Sequence, residues 1–418
     1  MLLRHCSARV SALADRRFQP RVPVFFGSLR PAVLLALFAC IVPSTSAKSP
    51  SPPDNSACDV RAGLRSVDAL LRQHRRAEAA AQLHLLQKCP NLAPIELFNV
   101  AWAYGKLQDF NAALGLLATI DPNVPDALTH AYAVALAEFE LGDYAAAIRT
   151  LTATQKTHPL NADCANLLAI SYAKSNQYQA GYDVLRDQLR RNPRDLDCYL
   201  NLITLLSDDG KFAEAQKVAT EAVGIFPTTA EIYIVRGATD TLLGKLQDAR
   251  NDFSTAITIS PATAEPRFFL ALTDYRLTHY ADAAADLRSA MRAGVNSSDL
   301  EYLLAECMLE LDPTHPAEAI AELDKAIQLD GRSAPARALR GKLLLEQGDP
   351  QKAVVDLEIA HKIDPAMRSA AYNLARAYSA LGKRREAQAL YRQIQTQTTD
   401  TVTGLSNQRM KQVLSSGP

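Results

Sequence analysis

The sequence lacks the short motifs that mark common catalytic and nucleotide-binding sites. It contains no G-x-x-x-x-G-K-[ST], no H-E-x-x-H, no G-x-S-x-G and no C-x-x-C. Its histidines stand singly, mostly in predicted turns or on exposed helix faces. The acidic pair Asp208 and Asp209 falls in a predicted turn, where contact with solvent explains it better than catalysis does. We therefore expect a protein that is not an enzyme and that has no catalytic, cofactor or metal residues.

An excess of one charge is also missing, because 45 Lys and Arg residues balance 45 Asp and Glu residues. No basic stripe with interleaved aromatic residues occurs, so nucleic acid is not an expected partner. Aromatic residues make up only 6% of the chain, and valine and isoleucine do not alternate in strand-like runs. Alanine and leucine are abundant, and alanine loses no side-chain entropy in a helix. The composition predicts an all-α fold.

A period of 34 residues dominates the sequence after the first 56 residues. The position of Tyr144 recurs at this spacing, and the series is Phe110, Tyr144, Tyr178, Phe212, Leu246 and Tyr280, then Pro350 and Arg384. Three residues later a small residue follows, as at Ala113, Ala147, Gly181, Ala215, Ala249, Ala283, Ala353 and Ala387. Fifteen residues later a proline is frequent, as at Pro159, Pro193, Pro227, Pro261 and Pro365. A fixed period of this length is typical of stacked repeats.

Each repeat is predicted to be a helical hairpin. In residues 159–193, small residues at Ala169 and Gly181 would let two helices approach closely. Pro193 would end the second helix, because it lacks the backbone donor and disfavours helix in the residue before it.

The repeats resemble the tetratricopeptide repeat (TPR) family over about residues 60–397. The family pattern is W-x2-L-G-x2-Y, then A-x3-F, then proline. Matching residues are Val100, Ala101 and Tyr104; Leu168, Ala169 and Tyr172; Leu374, Ala375 and Tyr378; Ala249 and Phe253; Ala387 and Tyr391. The resemblance implies a right-handed α-solenoid of about ten hairpins over residues 57–397. Departures are a weak first repeat, a short second repeat, a seventh without its closing proline and an insertion at residues 311–316 of the eighth.

The resemblance also implies that the first helix of every repeat lines a concave groove that holds a protein or peptide segment. The groove-facing residues would be Phe98, Trp102, Tyr132, Phe139, Asn166, Ile170, Leu200, Ile234, Phe268, Tyr275 and Tyr302, with Ile95, Leu136, Thr204 and Leu272 beside them. Two interpretations stay open, since these mostly apolar residues could bind a partner or could pack within and between repeats. The Lys, Asn and Arg set that family members use to hold a C-terminal carboxylate is absent.

Residues 1–47 are predicted to be a secretory signal peptide. They contain six arginines and one acid, then the apolar run from Ala32 to Val42, and then small residues at Thr45 and Ala47. Cleavage after Ala47 would leave residues 48–56 as a disordered linker. An organelle transit peptide is one alternative, and a lipid anchor at Cys40, in the lipobox-like sequence LFAC, is another. We expect an exported protein, periplasmic or extracellular, with envelope anchoring as the lipidated variant.

The cysteines and the C-terminal tail carry further expectations. Cys58 and Cys89 should lie at neighbouring ends of the first hairpin, where a disulfide would join them, or they are two unrelated buried thiols. Equivalent positions in stacked helices lie about 8–10 Å apart, too far for Cys164 and Cys198 to be bonded. Residues 398–418 form either a disordered tail or a short capping helix.

The function that these features favour is a non-catalytic scaffold or adaptor that binds a partner protein segment in the groove. Two alternatives are an accessory subunit of an envelope enzyme or secretion complex, and a structural protein that self-associates through its first or last repeat.

Overall fold

The structure is a computed structural model that describes residues 59–395. Within this range it contains twenty helices and no strand, which confirms the all-α prediction. The chain divides into two compact units after Pro227. The predicted signal peptide, residues 48–56 of the linker and residues 398–418 of the tail lie outside the described residues.

Unit 1 contains five helical hairpins. Its helices are α1 Val60–Arg72, α2 Arg76–Leu86, α3 Pro94–Lys106, α4 Phe110–Leu117, α5 Ala127–Glu140, α6 Tyr144–Gln155, α7 Ala162–Lys174, α8 Tyr178–Arg191, α9 Leu196–Asp208 and α10 Phe212–Ile225.

Unit 2 contains the other five hairpins. Its helices are α11 Ala230–Leu242, α12 Leu246–Ile259, α13 Glu265–Arg276, α14 Tyr280–Arg292, α15 Ser298–Leu311, α16 Pro316–Leu329, α17 Ala334–Glu346, α18 Pro350–Ile363, α19 Arg368–Ala380 and α20, residues 384–395. The predicted number of about ten repeats is therefore confirmed within the described residues.

Helix boundaries follow the local sequence. Asp143 caps α6 by accepting a hydrogen bond from the backbone N–H of Ala146 at 2.9 Å, which satisfies one of the amides that a helix start leaves unpaired. Helix α8 ends at Arg191, two residues before Pro193. Between the two helices of a hairpin the chain passes through a left-handed turn, at Gly142 with φ 81° but at Thr278 with φ 64°.

Close packing within a hairpin depends on small residues, as predicted. A Cβ atom added to Gly181 of α8 would lie 2.9 Å from the carbonyl oxygen of Ala169 in α7. Ala169 itself is completely buried.

The two irregular repeats keep the hairpin fold. In the second repeat α4 has only 8 residues. The extra residues of the eighth repeat lengthen α15 to Leu311 and the following turn to residues 312–315, so that Pro316 begins α16.

The first helices of consecutive repeats contact one another directly within each unit. This is the case for α5, α7 and α9 in unit 1 and for α11, α13, α15, α17 and α19 in unit 2. No comparable contact joins the second helices of neighbouring repeats between residues 59 and 395. The first helices therefore line the inner side of each unit, and we call their outward-facing surface the inner wall.

Two sequence predictions concern the cysteines and the membrane. Cys89 is disulfide-bonded, whereas Cys58 lies outside the described residues, so the Cys58–Cys89 pairing stays a prediction. Cys164, Cys198 and Cys307 are free and buried, as predicted. None of the helices between residues 59 and 395 combines the length and the apolar character that a membrane span requires.

Candidate interaction surface

The inner wall of unit 1 carries a continuous strip of apolar side chains. Five half-buried residues from four consecutive first helices form this unit-1 strip: Trp102, Tyr132, Leu136, Ile170 and Leu200. The rings of Trp102 and Tyr132 belong to neighbouring repeats, and their centroids lie 6.4 Å apart. Tyr132, Leu136 and Ile170 also pack against the core beneath them. The strip is therefore held in place from below and keeps part of its surface open to solvent.

Three residues that the sequence placed in the groove are instead buried. Phe98 is 5% exposed, Phe139 9% and Ile234 3%. Phe98 stacks on Trp102 with an interplanar angle of 18°, so the larger ring separates it from solvent. These three side chains belong to the packing of the repeats, as the second interpretation expects, and they offer almost no surface to a partner.

Asn166 is half-buried and lies between repeats. Its side-chain oxygen accepts a hydrogen bond from the Cys198 thiol of the next repeat at 3.2 Å. This contact ties Asn166 to the adjacent first helix.

Unit 2 carries a second strip, formed by half-buried Phe268, Leu272, Tyr275 and Tyr302, which we call the unit-2 strip. Tyr302 donates a hydrogen bond to the carboxylate of Glu306. Burial, followed by the negative charge of Glu306, raises the pKa of Tyr275 well above its usual value. The phenol groups of this strip are thus neutral donors at physiological pH.

Carboxylates at regular spacing border the unit-2 strip. Glu231, Glu265 and Asp299 each lie in the first turn of a first helix and follow one another at intervals of 34 residues. Burial and the neighbouring Glu231 raise the pKa of Glu265. Burial and Asp330 raise the pKa of Asp299. Our sequence analysis did not identify these acids, although the 34-residue period that revealed the repeats also relates them.

Buried ion pairs inside the hairpins of unit 2 are a different class of charge. Arg236 of α11 holds Asp252 of α12 through two hydrogen bonds of 2.7 and 2.6 Å. Arg340 holds Asp356 in the same way at 2.6 and 2.7 Å. Both aspartates are at least 95% buried, so these pairs belong to the hairpin interior.

One cluster in unit 2 has donor atoms that could hold a metal ion, namely Asp274, His279 and Asp282. Arg250 already contacts Asp274 at 2.6 Å and Asp282 at 3.1 Å. The guanidinium group therefore supplies the positive charge that balances these carboxylates.

The free thiols have the properties of packed side chains. Burial, followed by nearby acids, raises the pKa of Cys164 to about 12. Burial raises the pKa of Cys307 to about 12 as well. Since the thiolate is the reactive form, both groups are poor nucleophiles near neutral pH.

Comparison with known families tests the origin of this architecture. Tetratricopeptide repeat profiles match residues 99–162 and 132–195, and a further one matches residues 344–403. The chain is a tetratricopeptide repeat protein. No curated protein sequence matches it significantly.

Solved structures similar to this TPR protein are themselves repeat proteins. YrrB, described as a TPR protein with an unusual peptide-binding site, is 21% identical; the match covers 46% of this chain and 97% of YrrB, with a TM-score of 0.37. A tetratricopeptide repeat protein from Parabacteroides merdae is 17% identical over 60% of this chain and 98% of its own, with a TM-score of 0.46. Yeast Tom70 is 16% identical over 84% of this chain and 96% of its own, with a TM-score of 0.35.

Proposed function

We propose that this protein is a non-catalytic interaction scaffold whose inner walls hold segments of a partner protein. The observation that carries the proposal is the unit-1 strip, in which Trp102 and Tyr132 meet across two repeats and keep part of their surface open. Large aromatic side chains with few conformers are frequent anchors of protein interfaces. A repeat array also offers a long surface, because each hairpin contacts only its neighbours.

Photo-crosslinking tests this proposal directly. We would replace Ile170 by p-benzoylphenylalanine, crosslink the full chain in extracts of its native host and identify the attached peptide by mass spectrometry. The matched control carries the same replacement at Leu85, which is a 63% exposed apolar residue on a second helix. We expect one defined partner peptide from position 170 and none from position 85. The same products from both positions would refute binding at the inner wall.

Trp102 provides a second and independent measurement. It is the only tryptophan of the chain, so intrinsic fluorescence reports on the unit-1 strip. The identified partner peptide should shift the Trp102 emission, and Tyr132→Ala should weaken its affinity by about tenfold, or about 1.4 kcal/mol. Leu85→Ala should leave the affinity unchanged. A Tyr132→Ala variant that melts like the wild type and binds equally well would contradict the proposal.

We also propose that the protein acts in the cell envelope or outside the cell. Support comes from the leader, with its basic segment, apolar run and small residues at Thr45 and Ala47. Mass spectrometry of the protein from its host should find a chain that begins at Lys48. A lipid-bearing Cys40 would instead indicate membrane anchoring, and an intact leader would refute export. Self-association stays a prediction, to be checked by sedimentation of the same sample.

A further inference from the structure

The acids of the unit-2 inner wall differ from the other low-exposure carboxylates of that unit in having no internal counter-charge. Asp252, Asp274 and Asp356 each contact an arginine within 3 Å. Glu231 and Glu265 contact no Lys, Arg or His within ion-pair distance among residues 59–395. The same holds for Asp299 within that range. Three carboxylates in a row are thus left for a cation from outside.

The arrangement of these acids is electrostatically unfavourable in the isolated protein. Glu231 and Glu265 repel each other, and Asp330 repels Asp299. At the other end of the unit-2 strip, Glu306 and Glu310 act on Tyr275 in the same sense. No basic group offsets the effect on Glu265 or Asp299. A positively charged partner would remove this repulsion, which is the usual sign of electrostatic complementarity.

The spacing of the acids constrains the partner further. Packed helices lie about 8–10 Å apart, and an extended chain advances about 3.3 Å per residue. Successive first helices would therefore meet every third residue of an extended segment. Between the rows of acids lie Phe268, Leu272 and Tyr302 of the unit-2 strip, which favour apolar side chains between the charges.

We propose that the unit-2 inner wall binds an extended basic segment, with Lys or Arg at about every third residue and apolar residues between them. Glu231, Glu265 and Asp299 would each accept one basic side chain, and the aromatic strip would contact the rest. This inference rests on the proposed scaffold function and specifies the chemistry of the partner for unit 2.

A fluorescein-labelled peptide with lysine at every third position, and alanine and leucine between, tests the inference against the full chain. Its control has glutamine in place of each lysine. The test variant combines Glu231→Gln, Glu265→Gln and Asp299→Asn. A matched control variant removes the same charge from exposed acids of second helices, through Asp248→Asn, Glu318→Gln and Glu386→Gln. Binding is followed by fluorescence anisotropy at about 50 mM and about 300 mM salt.

The wild type should bind the lysine peptide at least about tenfold more tightly than the glutamine peptide at low salt. The test variant should lose this preference, and the control variant should keep it. Equal binding of the two peptides by the wild type would overturn the inference, as would an unchanged preference in the test variant. If the wild type binds the glutamine peptide equally well and Ile170 still crosslinks a partner, the scaffold function stands and only the basic specificity fails. If no peptide binds and Ile170 crosslinks nothing, both proposals fail.

Discussion

Replacing Gly181 by alanine tests the packing on which the inner wall depends. Gly181 lies in α8 and is buried against α7. A Cβ atom at this position would approach the carbonyl oxygen of Ala169 to 2.9 Å and the Cδ2 atom of Leu205 to 3.0 Å. The leucine end can rotate, but the oxygen belongs to the backbone of α7. The two helices must therefore separate to admit one methyl group.

Two effects of opposite sign decide the outcome. Alanine is favoured over glycine in a helix by about 1 kcal/mol, whereas forcing an extra carbon into a packed interior costs about 1–3 kcal/mol. Because a backbone atom is the obstacle, we expect Gly181→Ala to destabilise by about 1–2 kcal/mol. The control is Gly115→Ala in α4, where no atom lies within 4 Å of the new Cβ. Only helix propensity acts there, and the variant should gain up to about 1 kcal/mol.

Urea unfolding followed by far-UV circular dichroism gives the two free energies. Since repeat arrays can unfold in steps, amide hydrogen exchange in α7 and α8 should be measured alongside. We expect the midpoint to fall and exchange to accelerate in α7 and α8 for Gly181→Ala, and the midpoint to rise for Gly115→Ala. A shift of both midpoints in the same direction would refute the close-approach argument.

Three further changes test other parts of the structure. Burial, followed by Asp274, raises the pKa of Asp286 to about 6, so its ionisation destabilises the fold as pH rises from about 4 to about 6; Asp286→Asn should stabilise by about 1 kcal/mol at pH 7.5, after allowance for solvent contact, and not at pH 4, in thermal melts. Thr278→Gly should raise the melting temperature by relieving a left-handed threonine, worth about 1 kcal/mol. Arg236→Met leaves the Asp252 carboxylate buried without its partner and should cost about 3 kcal/mol in urea unfolding. Adding Asp252→Leu to that variant should recover most of the loss.

The fold was predictable because its signals are local and repeated. A small residue such as Ala147 occurs at every hairpin contact, and a proline such as Pro193 follows many of the second helices. Each repeat reports the same constraint again, so that one irregular repeat does not hide the pattern. The lengthened eighth repeat shows this, since α15 and its turn absorb the extra residues.

The exposure of the inner wall could be predicted only in part. The period assigns Phe98 and Trp102 to one face of α3, but it does not show which of them covers the other. In the structure Trp102 stacks over Phe98, and His130 of the next repeat lies 6.4 Å from Phe98 as well. Burial therefore depends on side-chain sizes in neighbouring repeats, which a single position in the pattern does not contain.

The charged pairs were missed for a different reason. Arg236 and Asp252 are 16 residues apart, and so are Arg340 and Asp356. The recurrence of this separation was visible in the sequence. It carries meaning only when the two chain positions are known to face each other across a hairpin, because most exposed charge pairs contribute little.

The same comparison separates charges that serve stability from charges that serve binding. A buried carboxylate without a partner is costly, and inside the hairpins Asp252 and Asp356 have arginine partners. At the inner wall Glu265 also loses solvent contact, yet no arginine faces it and Glu231 repels it. Folding stability alone gives no reason for that arrangement, because a lysine or a neutral side chain at the same position would be more favourable. A partner that brings the missing cations gives such a reason, and it acts on the complex without acting on the isolated fold.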